Sequence, residues 1–166
     1  MASANPAGIA AAPVRPLRHW AVPWALVPVF VLVCYQFDWL AWRSWMRDAT
    51  VSGAAWFGLQ ATPVGPTAFQ YRGTLYFFTV ACTAIDACFG AVPFFLTGRK
   101  GSLYRLAACF AVVAAANVAR QVFGLVLYSR GVPWWLAHSF IAGVFYFLLL
   151  LFVLRERDLP ASDIGY

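Results

Sequence analysis

Long apolar runs broken by short polar ones dominate this chain, and four of them have the length of a helix crossing a bilayer, roughly 20 residues at about 1.5 Å rise each. They cover about 20–39 ("WAVPWALVPVFVLVCYQFDW"), 75–96 ("LYFFTVACTAIDACFGAVPFFL"), 106–128 and 134–154. The expected fold is therefore an all-α integral membrane protein with about four transmembrane helices, filling residues 20–154. Between the first and second runs the pattern changes. "WLAWRSWMRDATVSGAAWFGLQ" sets Trp39, Trp42, Trp45 and Trp56 among polar residues, as an amphipathic helix lying in the lipid interface does. "TAFQYRGTLYFF" then alternates about Arg72-Gly73, which predicts a short hairpin leading into the second run. Segment 40–74 is thus read as one outward interfacial helix and hairpin unit.

Composition agrees with the periodicity: 63% of residues are hydrophobic, 11% are charged, and the mean hydropathy is +0.72, far from the balance of a soluble domain. The charges give an orientation, because Lys and Arg collect in the short loops that stay in the cytoplasm. Arg15 and Arg18 precede the first run, Arg99, Lys100 and Arg105 link the second to the third, and Arg155 and Arg157 follow the fourth. Only Arg43, Arg47, Arg72 and Arg130 fall on the other side. Both termini are expected in the cytoplasm, with 40–74 and 129–133 outward. Residues 1–19, small and rich in Pro and Ala, are expected to be a disordered tail, with a second cytoplasmic tail over 155–166. The first span lacks the cleavage-site pattern of a signal peptide and reads as a retained helix. The net charge of +6 follows from the same loop bias and implies no nucleic-acid binding.

Polar residues within the runs carry the chemistry. Asp86, Asn117, Arg120 and His138 fall at membrane depth, where an Arg or Asp costs on the order of 2.5–3.5 kcal/mol to insert. An Asp86–Arg120 ion pair fastening two helices is one reading. The other rests on depth: counted from the outer ends of their helices, Cys82 lies roughly 10 Å down, Arg120 roughly 12 Å and His138 roughly 6 Å. Three helices would deliver a thiol, a guanidinium and an imidazole to one layer. These are the parts of a nucleophilic acyl-transfer site, with Cys82 as nucleophile, His138 as general acid and base, and Arg120 stabilising the oxyanion. Asp86, four residues after Cys82, would share its helical face and either orient Arg120 or His138 or serve as an ion-pair partner. Asn117, one turn before Arg120, is either a hydrogen-bonding support of the site or interhelical glue.

"ACTAID" at 81–86, "NVAR" at 117–120 and "LAHSFIAGVFYF" at 136–147 resemble, in order and spacing, the three signature patches of the exosortase/archaeosortase family of membrane transpeptidases. Cys82, Arg120, His138 and Gly143 take the family's positions, and the likeness covers about residues 50–152. The family's cysteine is commonly followed by Ser-Gly, where this chain has Thr83-Ala84, so the turn that Gly permits must be met otherwise. Many members carry further N-terminal spans, so this chain would be a reduced form. The resemblance implies a cysteine protease/transpeptidase of the prokaryotic cytoplasmic membrane, its site toward the outer face. It would remove a C-terminal sorting signal, made of a motif, a transmembrane segment and a basic tail, from exported proteins. The acceptor would be water or a surface lipid or glycan.

Cys34, Cys88 and Cys109 read as small packing residues and His19 as a solvated interfacial one. No cofactor is expected, and Cys82 and His138 are too few ligands for a metal. Two other readings stand beside the protease: a non-catalytic membrane scaffold or degenerate relative, and a thiol–quinone oxidoreductase. The latter lacks a C-x-x-C pair and has no cysteine in the outward segments.

Overall fold

The computed structural model describes residues 18–96 and 103–158. Both expected tails, apart from the helical stretches reaching into them at Arg18 and Asp158, lie outside these residues, as do Arg15, Arg99, Lys100 and the side chain of His19. The chain is mostly helical. α1 (Arg18–Cys34) and α2 (Leu40–Ala55) lead into strands β1 (Thr62–Val64), β2 (Ala68–Tyr71) and β3 (Thr74–Phe77). A 3-10 turn (Ala81–Thr83) then precedes α3 (Ile85–Leu96) and α4 (Leu103–Ser129), and a π-helical turn (Leu136–Phe140) opens α5 (Ile141–Asp158).

Among the described residues, α4 is the one helix long and apolar enough to cross a membrane. Three shorter apolar helices accompany it, Ala21–Cys34, Ile85–Leu96 and Leu136–Phe152. Two of the expected spans shrink for local reasons. The first stops at Cys34, where Trp39 turns back to donate its indole N–H to the Cys34 carbonyl at 2.7 Å, satisfying an orphan acceptor of the helix end. The second loses its first ten residues: Leu75–Phe77 pairs as β3, and Ala84 takes a left-handed conformation (φ 55) that breaks any helix running through Cys82. An apolar run alone does not distinguish strand from helix.

The sheet is antiparallel in the order β1-β2-β3, with Tyr71 opposite Thr74 across the expected Arg72-Gly73 turn. Arg72 and Gly73 both have positive φ (51 and 80), the geometry of a type I′ hairpin turn. α2, the helix of the expected outward segment, buries one face against the protein. Its Met46, Thr50 and Ala54 are buried, and it packs along α4, with Gly53 close against Val122. Its polar side holds the sheet: Ser44 donates to the Pro66 carbonyl at 2.7 Å, Arg47 donates to the Gly65 carbonyl, and Arg43 donates to the Phe78 carbonyl at 2.7 Å. Trp45 and Trp56 remain exposed.

Two apolar cores result. One joins α3, α4 and α5 through Cys88, Phe94, Cys109, Val113 and Leu149. The other joins α2, the sheet and α4 through Met46, Phe69, Phe78 and Leu125. The turn carrying Cys82 lies at their junction: Ala84 belongs to the first core, and Cys82 packs against the second.

Candidate active site

Cys82 stands on the short 3-10 turn, outside all the apolar α-helices, and that turn is held from two sides. Asn117 and Gln121, four residues apart and so on one face of α4, each donate a side-chain amide to the Cys82 carbonyl at 2.9 Å. From α5, the Tyr146 hydroxyl donates to the neighbouring Ala81 carbonyl at 2.7 Å. Thr83, fully buried, donates its hydroxyl to the Val80 carbonyl at 2.7 Å and closes the turn on itself. Backbone that no helix satisfies is tolerated in an apolar setting only when side chains supply its partners.

The sulfur has its own partners. The Thr79 hydroxyl donates to Cys82 Sγ at 3.2 Å, and His138 lines the same cavity as the sulfur. Burial acts to raise the thiol, but the nearby His138 imidazole and the Thr79 hydrogen bond outweigh it and bring Cys82 down to about 7. His138 sits on the π-helical turn, its ring stacked on Trp134 with centroids 4.9 Å apart. That turn presses on α4 at Gly124, where a Cβ would come within 2.8 Å of the Ala137 carbonyl oxygen, so only glycine lets the two backbones approach this closely.

Arg120 is 7% exposed, and among the described residues no carboxylate pairs with it. Its Nε and Nη2 both donate to Asn117 Oδ1 at 3.1 Å, while its Cζ lies 5.6 Å from the centre of the Phe145 ring. Asn117 thus joins the two parts: its oxygen accepts from the guanidinium and its nitrogen donates to the Cys82 carbonyl, which fixes the amide in one orientation.

Cys82, Arg120, His138, Asn117 and Thr83 therefore gather in one place. Asp86 does not join them as expected. With Ala84 left-handed, Cys82 and Asp86 share no helical face, and Asp86 Oδ2 instead accepts from the Tyr35 hydroxyl at 3.0 Å on the side of α1. The Asp86–Arg120 ion pair is likewise not formed. Gly143 faces open space, so packing does not require its lack of a side chain. Cys34, Cys88 and Cys109 are buried packing residues, and none of the four cysteines is disulfide-bonded.

Sequence reasoning missed Gln121, Thr79, Tyr146 and Trp134. Gln121 follows Asn117 by four residues and Trp134 precedes His138 by four, spacings that mark a shared helical face. Thr79 and Tyr146 carry no comparable signal, because their contacts depend on the turn.

A cavity of about 200 Å³ opens over the sulfur, bounded by the hairpin residues Leu75, Tyr76 and Phe77 on one side and by Gln121, Trp134 and His138 on the other. No charged side chain lines it. Tyr76, pushed up to about 12 mainly by burial and next by the neighbouring Tyr128, remains a neutral phenol in that wall. No family model, curated protein or solved structure matches the chain.

Proposed function

We propose that this protein is a membrane-embedded cysteine peptidase or transpeptidase of the exosortase kind, cleaving C-terminal sorting signals from exported proteins. One observation carries the reading: a buried guanidinium with no carboxylate partner is joined through Asn117 to the backbone of a cysteine that shares its cavity with a histidine. Burying an uncompensated charge is costly, and a site that awaits a developing negative charge gives that cost a purpose.

In this mechanism the Cys82 thiol passes its proton to His138, the sulfur attacks the carbonyl carbon of the scissile peptide bond, and the carbonyl electrons move onto oxygen. Arg120, its fork fixed by Asn117, stabilises that oxyanion. As the tetrahedral species collapses, His138 delivers its proton to the leaving amine, the C–N bond breaks, and a thioester to Cys82 remains. Water or an amine or hydroxyl acceptor then attacks the thioester. His138 takes the acceptor's proton, the C–S bond breaks, and the sulfur is free again.

The surrounding fold is taken as a four-helix membrane bundle in which α1, α3 and α5 flank the long α4, both termini are cytoplasmic, and the sheet and site face outward. Its support is the loop charge bias and the outward apolar surface of these helices, including Val29, Leu32, Val112, Phe147 and Leu151.

Mass spectrometry of C-terminal peptides from the host's exported proteins, compared between wild type and a chromosomal Cys82→Ala strain with equal protein level, tests the function. A set of exported proteins that keeps its hydrophobic tails only in the mutant is the expected outcome. Identical processing in both strains removes Cys82 as the nucleophile for such substrates and favours the scaffold.

A further inference from the structure

The hairpin beside Cys82 has an unpaired edge, and its register shows which groups that edge presents. Tyr71 and Thr74 flank the two-residue turn, so they form a hydrogen-bonded pair, and such pairs recur at every second position of an antiparallel ladder. Phe69–Tyr76 is the next, and Thr67–Phe78 the one after, where the Phe78 N–H is seen donating to the Thr67 carbonyl at 2.7 Å. Thr74, Tyr76 and Phe78 thus turn their backbone groups toward β2. Leu75 and Phe77 turn theirs away from it, and β3 has no neighbour on that side, since the sheet order ends with it. Among the described residues no other backbone or side-chain group bonds to either of them. Their side chains are 43% and 62% exposed. Both residues also line the uncharged cavity that holds Cys82 and His138.

We infer that the free edge of β3 is the substrate dock: an extended, uncharged segment of the protein to be cleaved pairs with Leu75 and Phe77 as a fourth strand and so places its scissile carbonyl over Cys82. This rests on the peptidase reading and adds how the chain is held. Strand addition supplies main-chain hydrogen bonds whatever the sequence, while the cavity wall selects side chains. An added strand lies about 4.8 Å from β3, across the mouth of the cavity. Charged side chains next to the scissile bond are disfavoured, because that wall offers Phe, Tyr, Trp and Leu and no counter-charge. The unpaired edge is short, which limits its capacity to recruit unrelated strands.

The test uses the full-length protein in detergent and two alkylating probes for Cys82. Iodoacetamide is too small to need the strand. Acetyl-Ala-Val-Ala-Phe chloromethyl ketone, in which the Cys82 sulfur displaces chloride, carries a strand-forming backbone. Strand pairing uses alternate amides, so N-methylation of one alternate set is expected to slow the peptide probe about tenfold or more, the worth of one or two hydrogen bonds, while the other set stays within about threefold. In the protein, Phe77→Pro removes an outward N–H that β2 does not use, and Pro is tolerated on such an edge. With each variant's peptide rate divided by its own iodoacetamide rate, Phe77→Pro is expected to react about tenfold or more slowly than Phe77→Leu, which loses the same ring but keeps the N–H. Equal rates for both methylated sets, with iodoacetamide labelling still dependent on His138, overturn the dock and leave the nucleophile standing. Loss of His138-dependent labelling by iodoacetamide removes the peptidase reading, and the dock with it. Should Phe77→Pro fail to fold, the methylated probes on wild type decide alone.

Discussion

At Cys82, burial and hydrogen bonding pull one sulfur in opposite directions. Burial favours the neutral thiol; His138 and Thr79 favour the thiolate and prevail, leaving a midpoint near about 7. The sign for a variant follows. His138→Ala removes the foremost stabiliser of the thiolate while burial stays, so the pH at which iodoacetamide labelling of Cys82 is half-maximal is expected to rise by a unit or more. A pH profile of labelling, read by mass spectrometry of the Cys82 peptide, checks it; an unmoved midpoint means that the imidazole does not act on the sulfur. The neighbouring residue shows how far one position can be read from sequence. Thr83-Ala84 is followed by α3, and the turn before that helix needs a left-handed residue. Ala84 meets that need by adopting the left-handed angles itself, with a fully buried methyl, a conformation costing roughly 1–2 kcal/mol for a residue with a Cβ. The hydrogen bonds on the adjoining Ala81 and Cys82 carbonyls offset that strain.

Between elements, the decisive contact is the crossing of α4 with the π-helical turn at Gly124. The atom that a Cβ would meet is backbone, so no rotamer change can relieve it. Gly124→Ala is expected to gain up to about 1 kcal/mol in helix propensity and to lose about 1–3 kcal/mol to overpacking. Thermal stability therefore falls only modestly. The functional effect is larger: the turn carrying His138 moves away from α4, the imidazole draws off from Cys82, and the labelling midpoint of Cys82 rises toward that of His138→Ala. Measuring melting temperature and midpoint together separates the two effects; a fall in stability with an unchanged midpoint confines Gly124 to packing. None of this was legible in the apolar pattern of residues 134–154, which predicts a plain span. A π-turn inserts a residue without changing hydrophobicity, so composition does not register it.

Across the whole molecule, the proposed orientation makes the sheet and the two termini lie on opposite sides of the membrane. After the four native cysteines are replaced by alanine, Gln60→Cys, exposed just before β1, is expected to react with a membrane-impermeant maleimide in intact cells. Tyr166→Cys is expected to react only after lysis. Labelling of both before lysis places the C-terminus outside and overturns the orientation, and with it the outward site.

The sequence by itself determined a mostly helical chain with a membrane-length α4 helix, a hairpin folded at Arg72-Gly73, and three chemically distinct residues, Cys82, Arg120 and His138, in an order that suggested a site. These depend on local periodicity, turn chemistry and residue type, which neighbouring residues alone set. Only the tertiary structure decided that Cys82 sits on a turn fastened by Asn117, Gln121 and Tyr146. It likewise decided that Asp86 looks to Tyr35 and away from Arg120. Each of these hangs on a hydrogen bond or a backbone approach between residues 35 to 65 positions apart, or on one left-handed angle whose cost is met by such contacts, and no local pattern encodes them.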